Sequence, residues 1–212
     1  MCAAAVIETL GLTKNRLEAL VDGVFATLMT VLVLTLTLPP SSIAAPALAQ
    51  RLALVGHPVL AYALSFIVLG VYWVGHHNMF HYVRRTTRVF LWLNVLFLLT
   101  VGFIPFSTTI LGDNLLDPVA IIFYGVNLLL AGMMLYLIWW FATRRRHLVE
   151  KDLDPHLVAS VNRRILTGPI FYLSAIAFAY VEPVASILLY VAALLFFILP
   201  GHVDIHFTRK HH

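Results

Sequence analysis

The sequence predicts an all-α protein that crosses a membrane with six helices, and three observations predict it. Charged residues are only 11% of the chain, against about a quarter in a soluble domain. The apolar residues gather into runs near the roughly 20 that a helix needs to cross a bilayer. Lysine and arginine fall in alternate connections, the pattern that orients membrane spans. With 61% hydrophobic residues and a mean hydropathy of +0.91, the chain is too poor in charge to cover a water-facing surface. No linker or low-complexity segment interrupts it, so residues 1–212 read as one transmembrane domain. The N-terminus lacks a basic lead-in and the first apolar run exceeds signal-peptide length, so no cleaved signal is expected.

The first span runs from Leu17 to Leu38 and stops at Pro39 and Pro40. Asn15, with Glu18 three residues on, is a capping-box variant that would open it. The connection from Pro39 to Pro58 is rich in Ala, Ser and Pro and leaves room for a short interfacial helix over Pro46 to Leu54. The second span covers Val59 to Phe80 and the third Val89 to Leu111. Pro105 lacks an amide hydrogen and should kink the third helix, with Ser107 or Thr108 placed to compensate. The fourth covers Pro118 to Phe141, capped by Asp117 ahead of a proline at the first helical position. Asp154-Pro155 repeats that signal and should open a short polar surface helix to Arg164, leading into the fifth span, Ile165 to Val181. Only Glu182 and Pro183 separate it from the sixth, Val184 to Leu199, so the last two form a tight hairpin. No run alternates as a strand would, which favours helices over a barrel.

Orientation follows from the basic residues. A cytoplasmic N-terminus puts thirteen of the fourteen lysines and arginines inside, clustered at Arg84, Arg85, Arg88 and at Arg144, Arg145, Arg146, and leaves Arg51 outside with Asp113, Asp117 and Glu182. Both termini are then cytoplasmic and the protein is a multi-pass protein of the cell membrane. The clusters hold loops inside, near anionic lipid. That placement argues against nucleic acid as a partner. A single Cys2 excludes an intrachain disulfide and a multi-cysteine metal site.

Chemistry concentrates on the first helix. Gly23, Thr27, Thr30 or Val31, and Leu34 recur at helical spacing and form one stripe of small or hydroxyl side chains. Such a stripe serves close helix packing, with hydroxyls bonded to backbone, or else it lines a pore. Asp22 lies off that stripe and is costly in a membrane helix unless paired, so it should face a neighbouring helix. Its depth matches the far end of the second span, where Trp73 and His77 stand, so Arg16, Asp22, Trp73 and His77 form a candidate polar network between the two helices. His77 and His81, four apart, could share a metal, but no third ligand stands near them, and no metal site is expected. Asn94 and Asn127 read as buried helix–helix bonds. Paired catalytic carboxylates, a nucleophile elbow and a phosphate loop are all missing, so an enzyme is not expected. The Thr-Val-Gly-Tyr-Gly potassium filter is missing as well.

At these residues the chain resembles the transmembrane protein 175 family of lysosomal and prokaryotic potassium channels. The family's first-helix signature is Arg-x-x-x-Phe-Ser-Asp. Arg16 and Asp22 match it at the right separation, while Leu20 and Val21 replace the Phe and Ser. Asp22 to Ala26, Trp73 to His77 and Phe103 to Thr108 extend the likeness over the first three helices. The resemblance implies a homotetramer around a central pore lined by the first helix. It implies passive, potassium-selective conduction without a carbonyl filter and with no cofactor beyond the permeant ion. Thr27, Thr30, Val31 and Leu34 would then face the ions. Thr27 takes the place of the family's large aliphatic ring, leaving Leu34 as the candidate dewetting constriction. A secondary transporter of a cation or small solute is the rival, and it would call for a charged midplane site.

Overall fold

The computed structural model describes residues 14–37, 48–145, 148–150 and 153–199. The helices are α1 (Lys14–Val31), continued by a 3₁₀ turn (Leu32–Thr35), α2 (Leu48–Leu54), α3 (Gly56–His81) and α4 (Arg88–Gly102). They are followed by α5 (Ile104–Asp113), α6 (Pro118–Arg144), α7 (Pro155–Phe178) and α8 (Pro183–Ile198). All the regular structure among the described residues is helical; a lone antiparallel bridge joins Val83 to Val149. The expected stops at Pro39 and Pro40, the start of the interfacial helix at Pro46, and Cys2, Arg146, Lys151 and the terminal histidines lie outside the described residues.

Four helical segments are long and apolar enough to cross a membrane: Lys14–Thr35, Gly56–His81, Arg88–Asp113 and Pro118–Arg144. The chain is therefore a multi-pass membrane protein. α8 is apolar but shorter, at 16 residues. The polar stretch expected as a separate surface helix is instead the first ten residues of α7, which runs unbroken to Phe178 with Pro169 inside it. Helix propagation adds one hydrogen bond per residue, so a polar stretch that need not turn away simply continues the helix.

Caps and breaks explain most boundaries. The Asp117 carboxylate accepts from the amides of Val119 (2.7 Å) and Ala120 (3.3 Å), and that of Asp154 accepts from His156 (2.8 Å). Thr87 caps α4 through Phe90. Lys14 is already helical, so Asn15 lies within α1 and not at its cap; Glu18 pairs with Lys14 at 3.7 Å. The third span breaks at Phe103, and Pro105 opens α5. Both Ser107 and Thr108 donate to the Ile104 carbonyl just past the break (3.0 and 2.8 Å).

α6 is the central post. It packs against α4, α5 and α7, and α8 closes on it through Tyr190, whose hydroxyl donates to the Ile121 carbonyl at 2.8 Å. Tyr190 fits only because residue 125 is glycine: a Cβ there would collide with the Tyr190 hydroxyl and lie 2.9 Å from Ile176. Buried polar groups knit the break in the third span to its neighbours. Thr108 shares its one proton between the Ile104 carbonyl and Ser65, and Ser65 shares a bond with Tyr124. Ser107 likewise divides its proton between the Ile104 carbonyl and the Asn127 side-chain oxygen, and Asn127 donates to the Thr100 carbonyl. These bonds meet the demand of polar groups that lipid would leave unsatisfied.

Two connections meet at one end of the bundle. The amides of Arg84 and Arg85 donate to the Leu148 carbonyl (2.7 and 3.2 Å), and the Glu150 amide donates to the Tyr82 carbonyl (3.3 Å). Arg84 and Glu150 form an ion pair across this junction. It brings Arg84 and Arg85, after α3, to the connection that follows Arg144 and Arg145 at the end of α6.

Candidate pore face and its support

α1 has two faces. Leu17, Val21 and Phe25, followed by Leu32, are buried, and the Phe25 ring meets Phe97 of α4 at 6.0 Å. Thr27, Thr30, Val31 and Leu34 are exposed, Leu34 at 72%. The 3₁₀ turn eclipses side chains three residues apart. Val31, at its N-cap, and Leu34 therefore stay in line past the end of the α-helix. Beside them Ala19, Leu20, Gly23, Val24, Thr27 and Leu28 line a shallow groove of about 430 Å³.

The threonines are oriented by their own helix. Thr27 donates to the Gly23 carbonyl and Thr30 to the Thr27 carbonyl, both at 2.8 Å. A hydroxyl has one hydrogen and two lone pairs, so spending the hydrogen on the backbone leaves oxygen lone pairs for a cation or water. The backbone bonding expected of packing threonines is thus compatible with a polar, electron-rich exposed face.

Behind this face α1 is fastened to α3. The Trp73 indole N–H donates to the Asp22 carboxylate at 2.8 Å. The His77 ring stacks on Trp73 at 5.7 Å, so it stands beside this pair through its ring. Arg16 lies exposed at the start of α1, six residues before Asp22. The neighbouring histidine, His76, is held more tightly. His76 is 2% exposed, shares a 2.8 Å bond with Asn94 of α4, and lies between the rings of Phe80 (4.1 Å) and Phe97 (5.6 Å). Asn94 in turn donates to the Phe90 carbonyl (2.8 Å), which leaves its side-chain oxygen to accept from His76. One signal could have revealed this pair: the only buried-polar candidate on α4 needed a partner on an adjacent helix.

Known proteins match this chain in sequence and in fold. The family described as the endosomal/lysosomal potassium channel TMEM175 matches residues 16–105, a span that holds every residue of the candidate pore face and of its support. A potassium channel of Streptomyces collinus is 31% identical over 173 residues, covering 80% of this chain and 84% of that protein. The human endosomal/lysosomal proton channel TMEM175 is 37% identical over 103 residues, 45% of this chain but 20% of the human protein. The crystal structure of a lysosomal potassium-selective channel TMEM175 homologue from Chamaesiphon minutus superposes with a TM-score of 0.76 at 30% identity, covering 87% of this chain and 96% of that one. On this likeness in sequence and in fold, the chain belongs to the TMEM175 family of ion channels and is not an enzyme.

Proposed function

We propose that this chain is the subunit of a passive, potassium-selective cation channel of the cell membrane. Four copies surround a central pore, each with six transmembrane helices and cytoplasmic termini; α7 and α8 supply the fifth and sixth spans. Thr27, Thr30, Val31 and Leu34 line the pore. Leu34 forms the apolar constriction and the threonine oxygens line a wetter stretch beside it. The observation that carries this reading is the division of α1 into a buried aliphatic and aromatic face and an exposed face with two threonine hydroxyls turned to their own backbone. Arg16, Asp22, Trp73 and His77 keep α1 upright against α3. Potassium is the expected permeant ion because the relatives that the chain spans almost end to end carry that name. A transporter is disfavoured because the middle of α3 and α6 carries no charged residue to build a midplane site, and the one acidic residue in the middle of α1, Asp22, is bonded to Trp73.

Purified protein in liposomes tests this with a potassium gradient, then a sodium gradient, then a proton gradient. Passive potassium flux exceeding sodium flux, without a counter-substrate, is expected. Proton flux without potassium flux would replace the permeant ion with that of the human relative. Absence of flux in all three, with protein of native elution profile, would contradict the channel reading.

A further inference from the structure

A cavity of about 770 Å³ lies between α3, α6, α7 and α8, within the usual size of a small-molecule site. It is graded from end to end. Phe66, Ile67 and Gly70 line one end, and Tyr82, Trp139 and Arg164 the other. Along α3 the distance from Phe66 to Tyr82 is about 24 Å at 1.5 Å per residue, close to the ~20 Å of one bilayer leaflet with its headgroups.

The second end carries one donor without an acceptor among the described residues and one fixed positive charge. Trp139 is 1% exposed, and its buried indole N–H has no hydrogen-bond acceptor among the described residues. A buried donor left in that state is destabilising and calls for a partner. Arg164 is the one charged residue in the lining. Its guanidinium donates to the carbonyls of Phe197 (2.9 Å) and Leu199 (3.3 Å), which fixes the positive charge at the level where α8 ends. The Tyr82 and Trp139 rings meet edge to face at 6.3 Å, so the indole sits at the end of α3, beside the arginine clusters. Aromatic side chains with polar tips and arginines mark the headgroup level of a membrane helix. Polar donors thus stand at the boundary and apolar walls reach inward, the order found along a lipid in the same leaflet.

From this grading and charge we propose that the cavity is a phospholipid site. One acyl chain lies along α3 to Phe66, and the ester and phosphate oxygens face Trp139 and Arg164. The positive charge that Arg164 holds at this end favours a headgroup of net negative charge. Gly70 keeps the acyl channel open: a Cβ there would touch only the Met29 methyl, at 3.8 Å.

The test reconstitutes the protein in vesicles of equal phosphatidylglycerol and phosphatidylcholine, re-extracts it in detergent and counts retained lipid per chain by mass spectrometry. Wild-type protein should retain phosphatidylglycerol over phosphatidylcholine by roughly fivefold, the effect of one arginine at a membrane surface. Arg164→Gln should abolish that preference. Gly70→Leu should abolish retention of both lipids. Trp139→Phe removes the N–H together with the pyrrole half of the indole and should lower retention of both lipids; read beside Arg164→Gln, it decides the matter if Gly70→Leu does not fold. Wild-type protein that retains neither lipid, or a folded Gly70→Leu protein that retains as much as wild type, would overturn the proposal. So would a Gly70→Cys protein on a Cys2→Ser background that crosslinks to a second copy through that cysteine, because the cavity would then be a subunit interface.

Discussion

The Trp73 indole and the Asp22 carboxylate, fifty-one residues apart, meet at 2.8 Å and join two antiparallel helices near one face of the membrane. The bond flanks the buried side of α1, formed by Leu17, Val21 and Phe25, while Thr27, five residues further on, lies on another exposed part of the helix. One helix therefore carries a fixed side and an open side.

A double-mutant cycle measures that bond. Asp22→Ala and Trp73→Phe should each lower the thermal midpoint in detergent, with a coupling of about 1.5 kcal/mol, because the pair is partly solvent-accessible and lies at the low end for a bond to a charged group. Additive effects would mean that the contact does not hold α1 to α3.

The buried pair should behave differently. Asn94→Leu removes the acceptor of a nearly fully buried His76 and strands its donor, at a cost of about 2 kcal/mol. His76→Phe added to it should restore much of the loss, since the ring already stacks between Phe80 and Phe97. Denaturant or thermal unfolding of the three variants reads the recovery directly.

Gly125 should resist any larger residue. Ala at 125 must displace Tyr190, which is 1% exposed and bonded to the Ile121 carbonyl, and overpacking of this kind costs about 1 to 3 kcal/mol. Tyr190→Phe should relieve part of the collision by removing the hydroxyl. A double variant no more stable than Gly125→Ala alone would contradict that account.

The Arg84–Glu150 pair should matter least. Its side chains are 61% and 36% exposed, and exposed pairs contribute about 0 to 1 kcal/mol. Glu150→Gln should leave the thermal midpoint nearly unchanged, because the backbone bonds of Arg84 and Arg85 to Leu148 hold the junction. A large drop would show that the ion pair, and not the backbone, closes it.

Much of this was legible in the chain because lipid imposes harsh rules. Apolar run length marked the four long spans, and Asp117 and Asp154 cap as their sequence context required. Pro105 sits at the break it should cause, and Asn94 and Asn127 bridge helices. What stayed hidden depended on three-dimensional register. His76 and His77 differ by one residue, or ~100° of helix, and only the position of α4 decides that His76 is the buried one. The unbroken course of α7 was hidden because its polar first turns look the same in sequence whether they lie on a surface or continue a helix. Arg164 shows why they continue: anchored to the end of α8, it stays with the bundle. The cavity behind it is written in Gly70 and Gly168, whose missing side chains carry no meaning until their neighbours are placed.

The most direct test of the channel account is thiol accessibility during flux. On a Cys2→Ser background, cysteine is placed singly at Thr27, Leu34 and Leu188, the last on the exposed face of α8. A charged, water-borne thiol reagent should block potassium flux through the Thr27→Cys and Leu34→Cys proteins and leave Leu188→Cys conducting. Block at Leu188 alone, or unaltered flux with Thr27→Cys and Leu34→Cys fully modified, would contradict a pore lined by α1.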